Sequence, residues 1–149
     1  MDDALRPHGA NLRKGRVSEQ GRVYLVTFVV RDRRPIFQDF AMGRLLVREL
    51  KSADAAGLSK TWAFVVMPDH CHWLLSLEFR SLSSVVGRVK ARCTQAIGQG
   101  PLRQTGFHDH AARQEDDLHV MARYIVSNPL RAGLVSRVAD YPLWDAAWL

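Results

Sequence analysis

Cysteine is scarce in this chain. Only Cys71 and Cys93 occur in 149 residues, which excludes a disulfide framework and a four-cysteine zinc site; both thiols are expected to be reduced. Long apolar runs are missing too. No stretch reaches the ~18 residues that a membrane-spanning helix requires, and the amino terminus, MDDALRPHGANLRKGR, is too polar and charged for a signal peptide. The expectation is a soluble protein of the cytoplasm. Internal repeats and low-complexity segments are also lacking. Negative charge is in short supply: 15 Asp and Glu stand against 21 Lys and Arg, a net +6.

What is present fits one domain. A length of 149 residues with 47% apolar content is enough to bury a real core and excludes a disordered chain. Residues 1 to 20 mix Arg, Gly, Pro, Asn and Ser without apolar periodicity and read as a polar, basic tail. A single domain then fills residues 21–149. Arg6, Arg13, Lys14, Arg16, Arg22, Arg31, Arg33 and Arg34 crowd the first quarter of the chain, whereas Glu115, Asp116 and Asp117 cluster near the other end. That asymmetry suggests a polyanionic partner such as nucleic acid.

The pattern of elements predicts the fold. RVYLVTFVV (22 to 30) is β-branched and aromatic, as a buried strand should be. From Asp39, a candidate N-cap, FAMGRLLVRELKSA has helical spacing and stops before Gly57. TWAFVVM (61 to 67), a Pro68-Asp69 turn and HCHWLLSL (70 to 77) predict a hairpin. Ser81 or Ser83 then caps a helix with Leu82, Val85, Val86, Val89, Cys93, Ala96 and Ile97 on its apolar side and Arg88, Lys90 and Arg92 on the wetter side, closed by Gly98 and Gly100-Pro101. QTGFHDHAAR (104 to 113) reads equally as a short strand or a loop. A third helix starts at the acidic triplet and runs to the residues before Pro129. The order β-α-β-β-α-β-α predicts an α+β, ferredoxin-like sandwich: an antiparallel-centred sheet with helices packed on one face.

Three groups carry candidate chemistry. His70 and His72, at i and i+2 of one strand, present two imidazoles to the same face, able to hold a divalent ion. A bare His-x-His is common, but an otherwise apolar hairpin has little use for two polar rings on one face. Cys71 points the other way and reads as a small core residue. A second pair, His108 and His110, is open to three readings: another metal site, a nucleic-acid contact, or surface histidines. On the third helix, Leu118, Met121, Ala122 and Ile125 form the apolar face, and helical spacing brings Tyr124 and Asn128 together near its edge. Tyr124 reads alone as a core-rim residue and Asn128 as a cap before an N1 proline. A two-histidine metal candidate with a helix-borne tyrosine on a basic domain suggests phosphoryl transfer.

Longer stretches carry a resemblance. VVMPDHCHWLLSL resembles the HUH motif of single-tyrosine transposases, in which two histidines flank a hydrophobic residue, and ARYIVSNPLRAGLV is similar to the tyrosine-bearing helix of their REP-associated branch. The resemblance spans residues 20 to 145, with GRVYLVTFVVRDRRPIF, FHDHAARQEDDL and DYPLW in matching order. It implies an HUH endonuclease fold and an enzyme that cuts and rejoins single-stranded DNA beside hairpin (REP-like) elements. On the matching positions, His70, His72 and Asn128 would ligate Mg or Mn. Tyr124 would attack phosphorus, forming a 5′-phosphotyrosine and releasing a 3′-hydroxyl. Arg88, Lys90, Arg92 and Arg131 are the candidates to hold the strand. Cys71 departs from the larger aliphatic residue usual between the histidines. Both a monomer and a homodimer with exchanged helices fit the resemblance. The competing expectations are a catalytically inactive DNA-binding relative and a metal-dependent phosphodiesterase using water.

Overall fold

In a computed structural model, residues 22–98, 107–111 and 115–147 are described. The tail assigned to residues 1–20 and the Gly100-Pro101 stop lie outside them, and of the acidic triplet only the helical backbone is described. The chain runs β1 (Val23–Val29), α1 (Phe40–Ala55), β2 (Ser59–Met67), β3 (His70–Leu77), α2 (Leu82–Ile97), β4 (His108–Ala111), α3 (Glu115–Val126), a one-turn α4 (Asn128–Arg131) and β5 (Trp144–Ala146). Capping accounts for the main boundaries. Asp39 Oδ1 accepts from the N–H groups of Ala41 (2.9 Å) and Met42 (3.4 Å), satisfying donors that α1 cannot satisfy itself. Asp39→Ala is expected to cost about 1 kcal/mol, read as a fall of ~2–4 °C in thermal midpoint. Ser81 does the same for α2 through the Ser84 N–H at 3.1 Å. Gly98, with φ 71, closes α2 in the left-handed conformation that favours glycine.

The five strands form one antiparallel sheet in the order β4-β1-β3-β2-β5. Strands 4-1-3-2 are the ferredoxin-like arrangement, and β5 extends it at the β2 edge. Alternation along the strands builds two apolar layers. Tyr24, Val26, Phe28, Phe64, Val66, Cys71, Trp73, Leu75 and Leu77 pack with α1 and α2. Ala63, Val65, Met67 and Leu74 pack with Leu118, Ala122, Ile125 and Val126 of α3 on the other face. The expectation that all helices share one face is therefore corrected. The five consecutive buried residues from Ala63 to Met67 need cover on both sides of the sheet, and α3 supplies the second.

A second correction concerns α2. Lys90 is only 5% exposed, not on the wetter side. It stands four residues after Val86 and three before Cys93, within the apolar stripe, and its Nζ lies 5.7 Å from the ring centroids of both Phe28 and Phe107. Ala96, placed in the stripe, is exposed. Among the described residues no helix is long and apolar enough to cross a membrane.

Candidate active site

The site grows from the register of β1, β3 and β2. His70 stands opposite Val29 and Met67, and His72 opposite Thr27 and Val65. Both imidazoles therefore lie on the face covered by α3, while Cys71 points into the other layer and is fully buried. Burial pushes the Cys71 thiol well above its ordinary value, so the core reading of this residue holds. The two rings meet edge to face with centroids 4.9 Å apart.

Each ring is tethered through one nitrogen. His70 Nδ1 lies 2.7 Å from Asp69 Oδ1, and His72 Nδ1 lies 2.7 Å from Thr27 Oγ1. In both rings Nε2 is then the nitrogen left to bind something else. Burial, aided by the charges of His70 and Arg131, pulls the His72 pKa down to about 4. This ring is neutral at neutral pH and keeps a lone pair.

Helix α3 brings the other candidates over the same face. Tyr124 is 57% exposed, because its side chain falls beside the buried stripe of Leu118, Ala122 and Ile125. Arg131, one turn beyond the helix, folds back over it: its Cζ sits 3.9 Å from the Tyr124 ring centroid, and Nη2 donates to the Tyr124 carbonyl at 2.8 Å. A further bond joins Arg131 to Ser127 Oγ. The same guanidinium is near enough to depress His72, so one charge serves both the tyrosine and the histidine side of the site.

Asn128 Nδ2 donates to the carbonyls of Tyr124 (3.2 Å) and Ile125 (3.1 Å). Since carbonyls only accept, the amide is oriented with its nitrogen on the end of α3 and its oxygen directed elsewhere. Capping thus uses the nitrogen and leaves the oxygen unengaged by these contacts. Among the described residues no group of three or more His, Cys, Asp or Glu side chains gathers to hold a cation.

The remaining candidates lie elsewhere. Arg88, Lys90 and Arg92 belong to α2, across the sheet from the histidines. Arg88 Nη2 donates to Ser52 Oγ at 3.3 Å, while Arg92 Nε is 2.7 Å from the carboxylate of buried Glu49. His110 stands opposite Leu25 on β1, on the face of the histidine pair, and its buried Nδ1 has no hydrogen-bond partner. His108 pairs with Thr27 in the backbone register, two strands from His72. The contacts of Asp69, Arg33 and Thr27 with the histidine pair and its turn were not foreseen in the sequence. Asp69 read only as a turn residue, and the Thr27 contact emerges only from the β1–β3 register.

No protein-family model matches the chain. It is 35% identical over 82 residues to the REP-associated tyrosine transposase of Escherichia coli strain K12, an alignment covering 54% of this chain and 50% of that protein. The chain thus spans about half the length of the curated relative it matches. A solved structure of a REP-associated tyrosine transposase bound to a REP hairpin superposes with a TM-score of 0.76 at 27% identity, covering 87% of this chain and 79% of the other.

Proposed function

We propose that this chain, which is similar to the REP-associated tyrosine transposases, cleaves and rejoins single-stranded DNA next to hairpins, with Tyr124 as nucleophile. The observation that carries this reading is the pair of tethered imidazoles on the sheet face covered by α3, which bears Tyr124 and is followed directly by Asn128. His70 Nε2, His72 Nε2 and Asn128 Oδ1 would hold a divalent cation, Mg or Mn. Bound there, the cation supplies Lewis-acid polarisation of the scissile phosphate. Tyr124 Oη attacks phosphorus and loses its proton to solvent; a tyrosine–phosphate bond forms at the 5′ side as the bond to the 3′ oxygen breaks, and that oxygen leaves as a hydroxyl. The phosphotyrosine keeps the phosphodiester energy, so a 3′-hydroxyl reverses the step without a nucleotide cofactor.

Arg131 is the first strand contact of this reading. It is exposed, stacks on Tyr124 and lies near enough to His72 to depress its pKa. The α2 residues Arg88, Lys90 and Arg92 lie across the sheet from the histidines, so strand binding rests first on Arg131. Arg131→Ala is expected to weaken DNA binding and lower the salt slope by about 1, measured by fluorescence anisotropy across a salt series. Arg88→Ala and Arg92→Ala should leave that slope unchanged.

The reading is tested with end-labelled single strands that carry hairpins, incubated with the protein and Mn and resolved under denaturing conditions. A DNA-linked protein band with a free 3′-hydroxyl product is expected. Free 5′-phosphate ends without the band would indicate a water-using phosphodiesterase, and shifted but uncut DNA a binding protein.

A further inference from the structure

Asp69 is held from two sides. Its Oδ1 meets His70 Nδ1 at 2.7 Å, and its Oδ2 accepts from Arg33 Nη1 at 3.0 Å. The turn around it is pinned as well: the Val30 N–H donates to the Asp69 carbonyl at 2.8 Å and the Phe37 N–H to the Pro68 carbonyl at 2.9 Å. Arg33 reaches Asp69 from a backbone segment with two consecutive non-glycine residues at positive φ, Asp32 at 57° and Arg33 at 53°. Left-handed backbone of this kind is strained for non-glycine residues and persists only where surrounding contacts hold it. The strain lies where the arginine meets the carboxylate.

A carboxylate only accepts, so the nitrogen facing it must carry the hydrogen. In the neutral ring Nδ1 of His70 is thereby the nitrogen that carries the hydrogen, and Nε2 the one with the lone pair. His72 differs, because the Thr27 hydroxyl both donates and accepts and does not choose between tautomers. His70 is preset and His72 is adjustable.

We propose that Asp69, clamped by Arg33, is a positioning residue that fixes His70 as its Nδ1–H tautomer and aims Nε2 at the cation site. This rests on the reading that His70, His72 and Asn128 hold a divalent ion. Both Asp69 oxygens are engaged, which leaves the carboxylate as an orienting group and not a ligand. Histidine rings that ligate metals commonly donate their other N–H to such a carboxylate, and losing that partner typically weakens binding by about 10–100-fold.

The test uses the full chain in two measurements. Long-range ¹⁵N–¹H correlation spectra of the metal-free protein at mildly alkaline pH report which His70 nitrogen is protonated, and titration with Mn followed by electron paramagnetic resonance reports affinity. Wild type is expected to show the Nδ1–H form and to bind Mn. Asp69→Ala should lose that preference and bind Mn about 10–100-fold more weakly, and Arg33→Ala should shift both in the same direction by less. Should Asp69→Ala fail to fold, Asp69→Asn decides the matter: with Arg33 donating to the amide oxygen, the NH2 group turns to His70 Nδ1 and favours the Nε2–H tautomer, so a switched tautomer with weaker Mn binding supports the proposal and an unchanged tautomer and affinity overturn it. Folded Asp69→Ala with an unaltered tautomer and affinity overturns the positioning role and leaves the metal site standing. A wild type that binds no Mn overturns the metal reading and the proposal with it.

Discussion

Tyr124→Phe is expected to abolish the covalent protein–DNA adduct and to lower strand cleavage by roughly three orders of magnitude or more, because it removes the attacking oxygen and nothing else. The ring remains, so the stacking of Arg131 on its face, 3.9 Å from the centroid, remains too. A side chain 57% exposed contributes little to the core, and the thermal midpoint should hardly move. DNA affinity, measured by anisotropy, should likewise stay near that of wild type. This combination distinguishes a nucleophile from a binding residue: a tyrosine that only stacked on bases would lose affinity with the whole ring, not activity with one hydroxyl. Cleavage that survives the substitution would assign the attack to water.

Trp73→Ala carries the largest expected effect on stability. Trp73 is the largest of the fully buried side chains, lies on the central strand next to His72, and donates through Nε1 to Thr61 Oγ1 at 2.9 Å. Truncating a buried tryptophan typically costs ~3–5 kcal/mol, out of the 5–15 kcal/mol that hold an ordinary domain together. For a chain of this length that corresponds to a fall of about 6–20 °C in the thermal midpoint, read by circular dichroism. It also leaves the Thr61 hydroxyl, which donates to Asp54 at 2.9 Å, without its second partner. Because the strand that holds Trp73 also presents the histidine pair, metal binding should fall together with the midpoint. Trp73→Phe, which keeps most of the ring volume, should lose much less of both.

Much of the architecture was legible where local chemistry and tertiary packing agree. The alternation in HCHWLLSL and the Pro-Asp turn before it gave β3 its observed limits, and Asp39, Ser81 and Gly98 marked helix ends by capping rules that act within a few residues. The α3 stripe of Leu118, Ala122 and Ile125 followed from helical spacing and faces the sheet as expected. Three features were less accessible. Strand β5 has three residues on a sheet edge, too few for any period to emerge. The sidedness of α3 depends on β2 being buried on both faces, which the apolar run Ala63–Met67 hints at without saying what covers it. Lys90 was judged by residue type, although its spacing from Val86 and Cys93 already placed it in the apolar stripe; its long stem lets the charge sit against two aromatic rings.

The site divides in the same way. The shared face of His70 and His72 and the nearness of Tyr124 to Asn128 were readable from strand and helical periods, whereas the roles proposed for them come from the resemblance. The partners of those residues were not readable, since Thr27 and Arg33 are 45 and 36 residues away from the groups they touch and only the fold joins them.

The most direct measurement is mass spectrometry of the tryptic peptides of protein reacted with Mn and a hairpin-bearing single strand, after nuclease trimming. Cleavage after Arg123 and Arg131 isolates Tyr124–Arg131, with Tyr124 as its only tyrosine. The account predicts this peptide carrying a nucleotide through a 5′-phosphate on Tyr124. A nucleotide on Tyr24, Tyr141 or another residue, or cleaved DNA with every peptide unmodified, would contradict it.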